Sequence, residues 1–251
     1  MERESIILIP TLNEKKNLEK LIPAIFDLMP EISVLVADDN SQDGTEEYLG
    51  SIKNLYPNLF IINRKNNFGY GRACIEGFQL IRKDVRHPMS YSMTSDVVRE
   101  DFEYIVTMDA DFSHDYRVIP GMLKQLAEHD VVIGSRYISG GKIENWKFHR
   151  KVLSKVANFY VRAILNLKIQ DLTTGFNAYR QESLFKINLN NIQSDGYAFL
   201  VELKYKLANA DVNITEYPIT FSERREGQSK MSGKIIWESF KLPWQLKFKK
   251  I

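Results

Sequence analysis

At 251 residues, with 44% hydrophobic and 26% charged side chains, the chain is globular and sized for one large α/β domain or two small ones. Its formal charge of +2 is too small to imply nucleic acid, and its one cysteine, Cys74, excludes an intramolecular disulfide and fits a reducing compartment. The N-terminus enters a strand without a signal-peptide pattern, and no apolar stretch reaches the ~18 residues of a membrane span, so a soluble or peripherally bound protein is expected.

Ser5 to Ile9 is an apolar run stopped by Pro10, and Asn13 with Glu14 opens a helix carrying Leu18, Leu21, Ile22, Ile25 and Leu28. Ile32 to Ala37 reads as a second buried strand, followed at once by Asp38-Asp39-Asn40-Ser41-Gln42-Asp43-Gly44-Thr45, which is turn and helix-cap chemistry. Leu59 to Asn63 makes a third strand. Gly69-Tyr70-Gly71 is a weak dinucleotide fingerprint, because Cys74 holds the third glycine position. A tight loop-to-helix turn is the better reading. The helix behind it ends near Ile81, and Arg82 to Phe102 follows as a long polar segment, read as an insertion.

Tyr104 to Met108 is a strand that ends in Asp109-Ala110-Asp111. A hard divalent cation gripping a diphosphate wants one or two protein carboxylates and fills its other positions with phosphate oxygens and water; a lone Asp-x-Asp can also simply cap a turn. His87 and His114 have no partner at metal-ligand spacing, which argues against zinc. Val131 to Ser135 is a further strand with Arg136 at its end, and Gly140-Gly141 allows a tight turn. Trp146 to Leu167 reads as an amphipathic helix with Val152, Val156, Phe159 and Ala163 inward and Arg150, Ser154 and Asn158 on a polar face. Asp171 to Phe176 is a turn feeding a strand at Asn177 to Tyr179. A helix from Gly196 to Leu207, with Glu202 as a buried anchor or a plain helix acid, and a last strand from Ile214 to Phe221 complete the pattern.

Strands alternating with helices predict a right-handed βαβ series and a mostly parallel sheet, whose ligands lie outside the carboxyl ends of the strands. Thr11, Asp38, Asp39, Asp109 and Asp111 all fall at such ends, which points to one shared nucleotide site. A guanine or uracil edge offers N–H donors that Asp38 or Asp39 can accept.

Pro10-Thr11-Leu12-Asn13-Glu14, the Asp38–Thr45 stretch, Asn67-x-Gly69-x-Gly71 and Asp109-Ala110-Asp111, in this order, resemble the inverting glycosyltransferases of GT-A fold. Gly134-Ser135-Arg136-Tyr137, Asp171-Leu172-Thr173-Thr174-Gly175-Phe176 and Phe221-x-x-Arg224-x-x-Gly227-x-Ser229-Lys230 narrow the likeness to the polyprenol-phosphate (dolichol-phosphate) mannosyltransferases, over nearly all of residues 5 to 235. The resemblance implies an α/β domain over residues 1–233 that transfers a hexose from a nucleotide-sugar to a lipid phosphate with Mg²⁺ or Mn²⁺. GDP-mannose is the favoured donor and UDP-glucose the second. It places the base at Asp38 and Asp39 with Pro10, Thr11 and Glu14 lining the cleft, the metal on Asp109 and Asp111, and the acceptor phosphate on Arg136, Arg150 and Ser154. Asp171 to Phe176 would wall the donor sugar, and Arg224 and Lys230 would fold over the diphosphate. Ser113 stands where some family members carry glutamine, which counts against its direct ligation.

Lys234 to Ile251 sets Ile235, Ile236, Trp237, Phe240, Trp244 and Phe248 among lysines, with Glu238 the one acid. Pro243 is expected to divide it into two amphipathic pieces lying on the cytoplasmic face of a membrane, with packing on the core or a dimer seam as the competing reading. Two other functions remain: a sugar transferase acting on a sugar hydroxyl, which needs a carboxylate base and for which the Gln-x-x-Arg-Trp motif of processive synthases is missing, and a non-catalytic nucleotide-sugar-binding module.

Overall fold

The computed structural model describes residues 1–81, 92–93, 102–223 and 233–248. β1 (Ser5–Thr11), α1 (Lys15–Leu28), β2 (Ser33–Asp38), α2 (Thr45–Ile52), β3 (Leu59–Asn63) and α3 (Tyr70–Ile81) are three successive strand–helix units. A short β4 (Ser92–Met93) precedes β5 (Tyr104–Thr107), α4 (Ile119–Gln125), β6 (Val131–Ser135), β7 (Lys142–Ile143) and α5 (Phe148–Leu165). The chain ends through β8 (Asn177–Arg180), α6 (Gln181–Phe185), α7 (Gly196–Ala208), β9 (Ile214–Pro218), β10 (Thr220–Phe221) and α8 (Gly233–Phe248).

The main sheet has the order β4-β3-β2-β1-β5-β8-β6-β9. It is mostly parallel as expected; β4 runs antiparallel to β3, and β8 runs antiparallel to both β5 and β6. From β1 the chain steps outward to β2 and β3, then returns to the other flank of β1 with β5. That reversal opens a crevice at the carboxyl ends of β1, β2 and β5, where open α/β sheets bind ligands. β1 is apolar along its length because both its faces are covered: Ile6 and Leu8 join one core with α3, α7 and the inner side of α5, while Ile7 and Ile9 join the other with α1, α2 and α4.

Four sequence expectations change. The face assigned inward on α5 points out: Val152, Val156, Phe159 and Ala163 are exposed, and Asn158, Val161, Ile164 and Leu165 are buried. α8 is one helix through Pro243, with Leu242 and Leu246 buried against the domain; α1 likewise runs unbroken through Pro23. Tertiary packing offsets the one lost helical hydrogen bond in each. The last strand splits at Pro218, so that β10 leaves the main sheet and pairs with β7. Ser92–Met93, inside the presumed insertion, adds the antiparallel edge to β3; residues 82–91 and 94–101 lie outside the described part.

Close approach of α3 to β1 depends on Gly77, where an added Cβ would come within 2.5 Å of the Leu8 side chain. Gly77→Val should destabilise the protein by about 1–3 kcal/mol through overpacking, read as a lower urea midpoint at unchanged slope. An unchanged midpoint would mean that α3 can lift without cost.

Candidate active site

The β1 and β2 ends are stitched together. Thr11 is in register with Asp38, and its carbonyl accepts from the Asp39 N–H at 2.9 Å. Asn13, with φ near 57°, donates its N–H to Ser41 Oγ and accepts from the Gln42 N–H on Oδ1. Asp38 is fully buried, and its oxygens receive the Ser41 N–H and hydroxyl. Asp39 accepts from Gly69 N–H at 2.8 Å and pairs with the buried Arg64 guanidinium, which also holds Glu76. Burial pushes both aspartates above the ordinary carboxylate range, against these hydrogen bonds. Pro10 and Thr11 end β1, and Glu14 occupies the cap position of α1.

Gly69 and Gly71 are the turn the sequence indicates, but a carboxylate makes them obligatory. Asp195 accepts from the Gly71 N–H, and a Cβ on Gly69 would collide with its Oδ2. Phe199 closes over Gly71 at 2.8 Å from where a Cβ would stand.

At the end of β5, Asp109 is half-buried and Asp111 buried. Asp111 Oδ1 accepts the Ser113 N–H at 3.0 Å, and Phe112 between them takes φ near 60°. His114 Nδ1 accepts the Asp109 N–H at 3.0 Å, and its ring stacks on Phe176 with centroids 4.9 Å apart. This buried histidine thus braces the turn and holds its Nδ1 unprotonated. The donor set suits a hard cation: two carboxylates, with the buried Ser113 Oγ lacking a hydrogen-bond partner among the described residues. No group of three or more His, Cys, Asp or Glu that could hold a metal ion by itself occurs among those residues.

The loop of residues 170–175 reaches Asp109 at its Gly175 end. An added Cβ at Gly175 would lie 3.4 Å from Asp109 Oδ1, and the Gly175 carbonyl accepts from Thr107 on β5. Four further side chains set the loop's shape. Glu216 receives the N–H groups of Gln170 and Asp171; Asn158 receives that of Leu172 and donates to Thr173. Lys204 Nζ donates to the carbonyls of Leu172 and Thr174 at 3.2 and 2.6 Å. Arg136 forks onto Asp171 with two bonds of 2.7 Å and reaches Thr173. Burial works against the Asp171 charge, yet the Arg136 guanidinium holds its carboxyl below the usual range. Burial lowers the Lys204 amine to about 7, against the pull of Asp171.

The three residues matched to an acceptor phosphate come together. Arg136 and Arg150 both lie over the Trp146 ring, at 5.9 and 4.5 Å, and Ser154 Oγ accepts from Tyr137, the neighbour of Arg136. Arg150 also binds Glu223 at 2.7 Å. Glu202 is the buried anchor, accepting the Ser194 N–H and pairing with Lys206. Arg224, Ser229 and Lys230 lie outside the described residues. Sequence reasoning passed over Arg64, Asp195 and Lys204, and gave His114 and Asn158 no part in shaping the site. Only Asp195, an acid directly before a helix-opening glycine, carried a local signal.

Residues 6–187 match the family model described as glycosyl transferase family 2. The chain is 36% identical over 239 residues to a polyprenol monophosphomannose synthase of Mycolicibacterium smegmatis, covering 94% of this chain and 84% of that protein. It is 36% identical over 234 residues to an undecaprenyl-phosphate mannosyltransferase of Micrococcus luteus, covering 93% and 90%. Among solved structures, glucosyl-3-phosphoglycerate synthase of Mycobacterium tuberculosis with Mg²⁺ and UDP superposes with a TM-score of 0.64 at 14% identity, over 97% of this chain and 78% of that one. Another of its structures, with Mn²⁺, UDP and phosphoglyceric acid, gives 0.63. The fold is GT-A, as the motifs led one to expect.

Lys204→Met should leave the Leu172 carbonyl without its Lys204 donor and the Thr174 carbonyl with Asn177 Nδ2 alone at 3.3 Å, and lower both stability and transfer. Because the folded-state pKa of about 7 lies below the ~10.4 of the unfolded chain, the unfolded state binds more protons between them. The wild type should therefore gain stability over Lys204→Met as pH rises from 7 toward 10. Urea titrations at several pH values read this; a gap that narrows with pH would contradict it.

Proposed function

The chain belongs to glycosyl transferase family 2, and from that premise we propose that it transfers mannose from GDP-mannose to a polyprenyl phosphate such as dolichyl phosphate, inverting the anomeric centre, with Mg²⁺ or Mn²⁺ on the donor diphosphate. The names of the relatives at 36% identity support the reaction. The observation that carries the reading is the chemistry opposite Asp109. Arg136, Arg150 and Ser154 gather there, and among the described residues Asp171 is tied to Arg136 and Glu223 to Arg150. A sugar-hydroxyl acceptor needs a free carboxylate base. A phosphate acceptor, largely dianionic at neutral pH with its second pKa near ~6, needs none.

Asp38 and Asp39 are assigned to the base edge, with Pro10, Thr11 and Glu14 along the same cleft. Asp109 and Asp111 hold the metal, which when bound supplies Lewis-acid stabilisation to the departing diphosphate. Arg224 and Lys230 complete the donor grip. Arg136, Arg150 and Ser154 orient the acceptor oxygen toward the anomeric carbon, on the side away from the diphosphate. Loop 171–175 spans the two: Asp171 is bound to Arg136, Gly175 lies against Asp109, and four residue steps reach at most ~14 Å. Catalysis is then positioning plus charge stabilisation. The lipid acceptor places the protein peripherally at a membrane, on its cytoplasmic face. No described helix is long and apolar enough to cross one.

Asp109→Ala and Asp111→Ala should lose transfer while keeping their circular dichroism, and donor turnover that survives in both would sink the metal assignment. Arg150→Ala should raise the lipid-phosphate KM about tenfold or more, the loss of one charge-assisted hydrogen bond, while donor affinity stays within about twofold. Arg224→Ala should instead slow turnover with every acceptor. A thermal-shift screen with Mn²⁺ decides the donor: GDP-mannose should stabilise more than UDP-glucose, and the reverse order would reassign it.

A further inference from the structure

Tyr70 opens α3 between two glycines, and its backbone is pinned on both sides: Asp39 accepts the Gly69 N–H and Asp195 accepts the Gly71 N–H. Its ring meets Phe199 edge-on, with centroids 6.2 Å apart. Backbone and ring together direct the hydroxyl at Gly175. An added Cβ there would collide with the Tyr70 hydroxyl and stand 3.4 Å from Asp109 Oδ1. The missing side chain of Gly175 is thus what lets a phenol lie beside the first carboxylate of the Asp109-Ala110-Asp111 turn. That hydroxyl is buried and has no hydrogen-bond partner among the described residues. The Cys74 thiol, one turn along α3, is close enough to act on it, but sulfur is a weak acceptor. Burying an O–H without a partner is destabilising and uncommon, so the group calls for a partner from outside the chain.

Its position selects that partner's chemistry. The Asp109 carboxylate accepts, and the phenol donates. A phosphate oxygen would suit Tyr70 but cannot donate to Asp109. A sugar hydroxyl satisfies both, because one oxygen can accept from the phenol while its proton goes to the carboxylate. Two such bonds through one oxygen, at ~2.7–2.8 Å each, suit the space that Gly175 leaves open. We propose that Tyr70 is a specificity-determining residue of the donor site, its hydroxyl donating to a hexose hydroxyl that in turn donates to Asp109. This rests on the nucleotide-sugar reading of the site and names the chain's contact to the sugar itself, apart from base and diphosphate. Because the phenol is already fixed, little ordering is needed when the donor arrives.

Calorimetric titration of the full chain with GDP and with GDP-mannose, in the presence of Mn²⁺, tests this against Tyr70→Phe, which keeps the ring and removes only the hydroxyl. GDP should bind both proteins within about twofold, whereas GDP-mannose should bind the variant about three- to tenfold more weakly, the loss of one neutral hydrogen bond. With GDP-mannose analogues that each lack one hexose hydroxyl, the difference between wild type and variant should vanish for one analogue and persist for the rest. The unliganded variant should unfold at the same urea concentration as the wild type or a higher one, since no internal hydrogen bond is lost. Equal weakening of GDP and GDP-mannose, unchanged affinity for both, a difference that persists in every deoxy analogue, or a lower urea midpoint would each overturn the proposal. Should UDP-glucose prove the stronger donor, the same comparison with UDP and UDP-glucose carries the same outcomes. These binding differences without transfer to any lipid phosphate would leave Tyr70 in place and sink the acceptor assignment; binding of neither nucleotide-sugar would sink the donor reading and this contact with it.

Discussion

The buried ion pair between Arg136 and Asp171 is the constraint on which the site's shape rests. Both side chains are removed from water, and the fork geometry uses both carboxylate oxygens. Taking away one partner of such a pair costs roughly 3–5 kcal/mol, because the other charge stays buried. Here the loss would spread further. Asp171 opens a loop whose N–H and carbonyl groups are consumed by Glu216, Asn158, Lys204 and Thr107, so β9, α5, α7 and β5 all meet at one six-residue segment. The wall beside Asp109 is therefore stiff without being helix or strand.

Charge is divided across this wall. The carboxyl ends of β2 and β5 supply acids, two of them desolvated by the sheet around them; the β6 end and α5 supply guanidiniums stacked on Trp146. On the proposed reaction both substrates are phosphates that repel each other. Giving one a carboxylate-bound cation and the other a pair of arginines lets them approach without sharing a partner. The loop between them keeps the two sets apart.

Most of the sheet is legible in the sequence because its strands are unbroken apolar runs between turn residues; the run from Leu59 to Asn63 coincides with β3. The acids are legible because strand ends in open α/β sheets are where ligands bind. α5 defeats the amphipathic rule for a definite reason. It has apolar residues at helical spacing on opposite sides, and the choice between them falls to Ser154, which meets Tyr137, and to Asn158, whose partners Leu172 and Thr173 are in place only once the loop has folded. Asp195 and Lys204 are hidden for a related reason: they answer backbone groups far along the chain, as when Asp195 binds the N–H of Gly71, 124 residues away, and Arg64 answers the carboxylates of Asp39 and Glu76. Local pattern carries no trace of such pairings.

The loop's dependence on Glu216 has a consequence for the order in which a ribosome delivers the chain. β1, β2 and β3 pair among themselves within the first 63 residues, so the half bearing Asp38 and Asp39 can assemble early. Loop 170–175 must wait for Lys204, some 30 residues later, and for Glu216, 45 residues later. During that interval α5 lacks α8, against which it packs in the folded chain. A chain with apolar surface uncovered in this way is prone to self-association until its last helix is delivered.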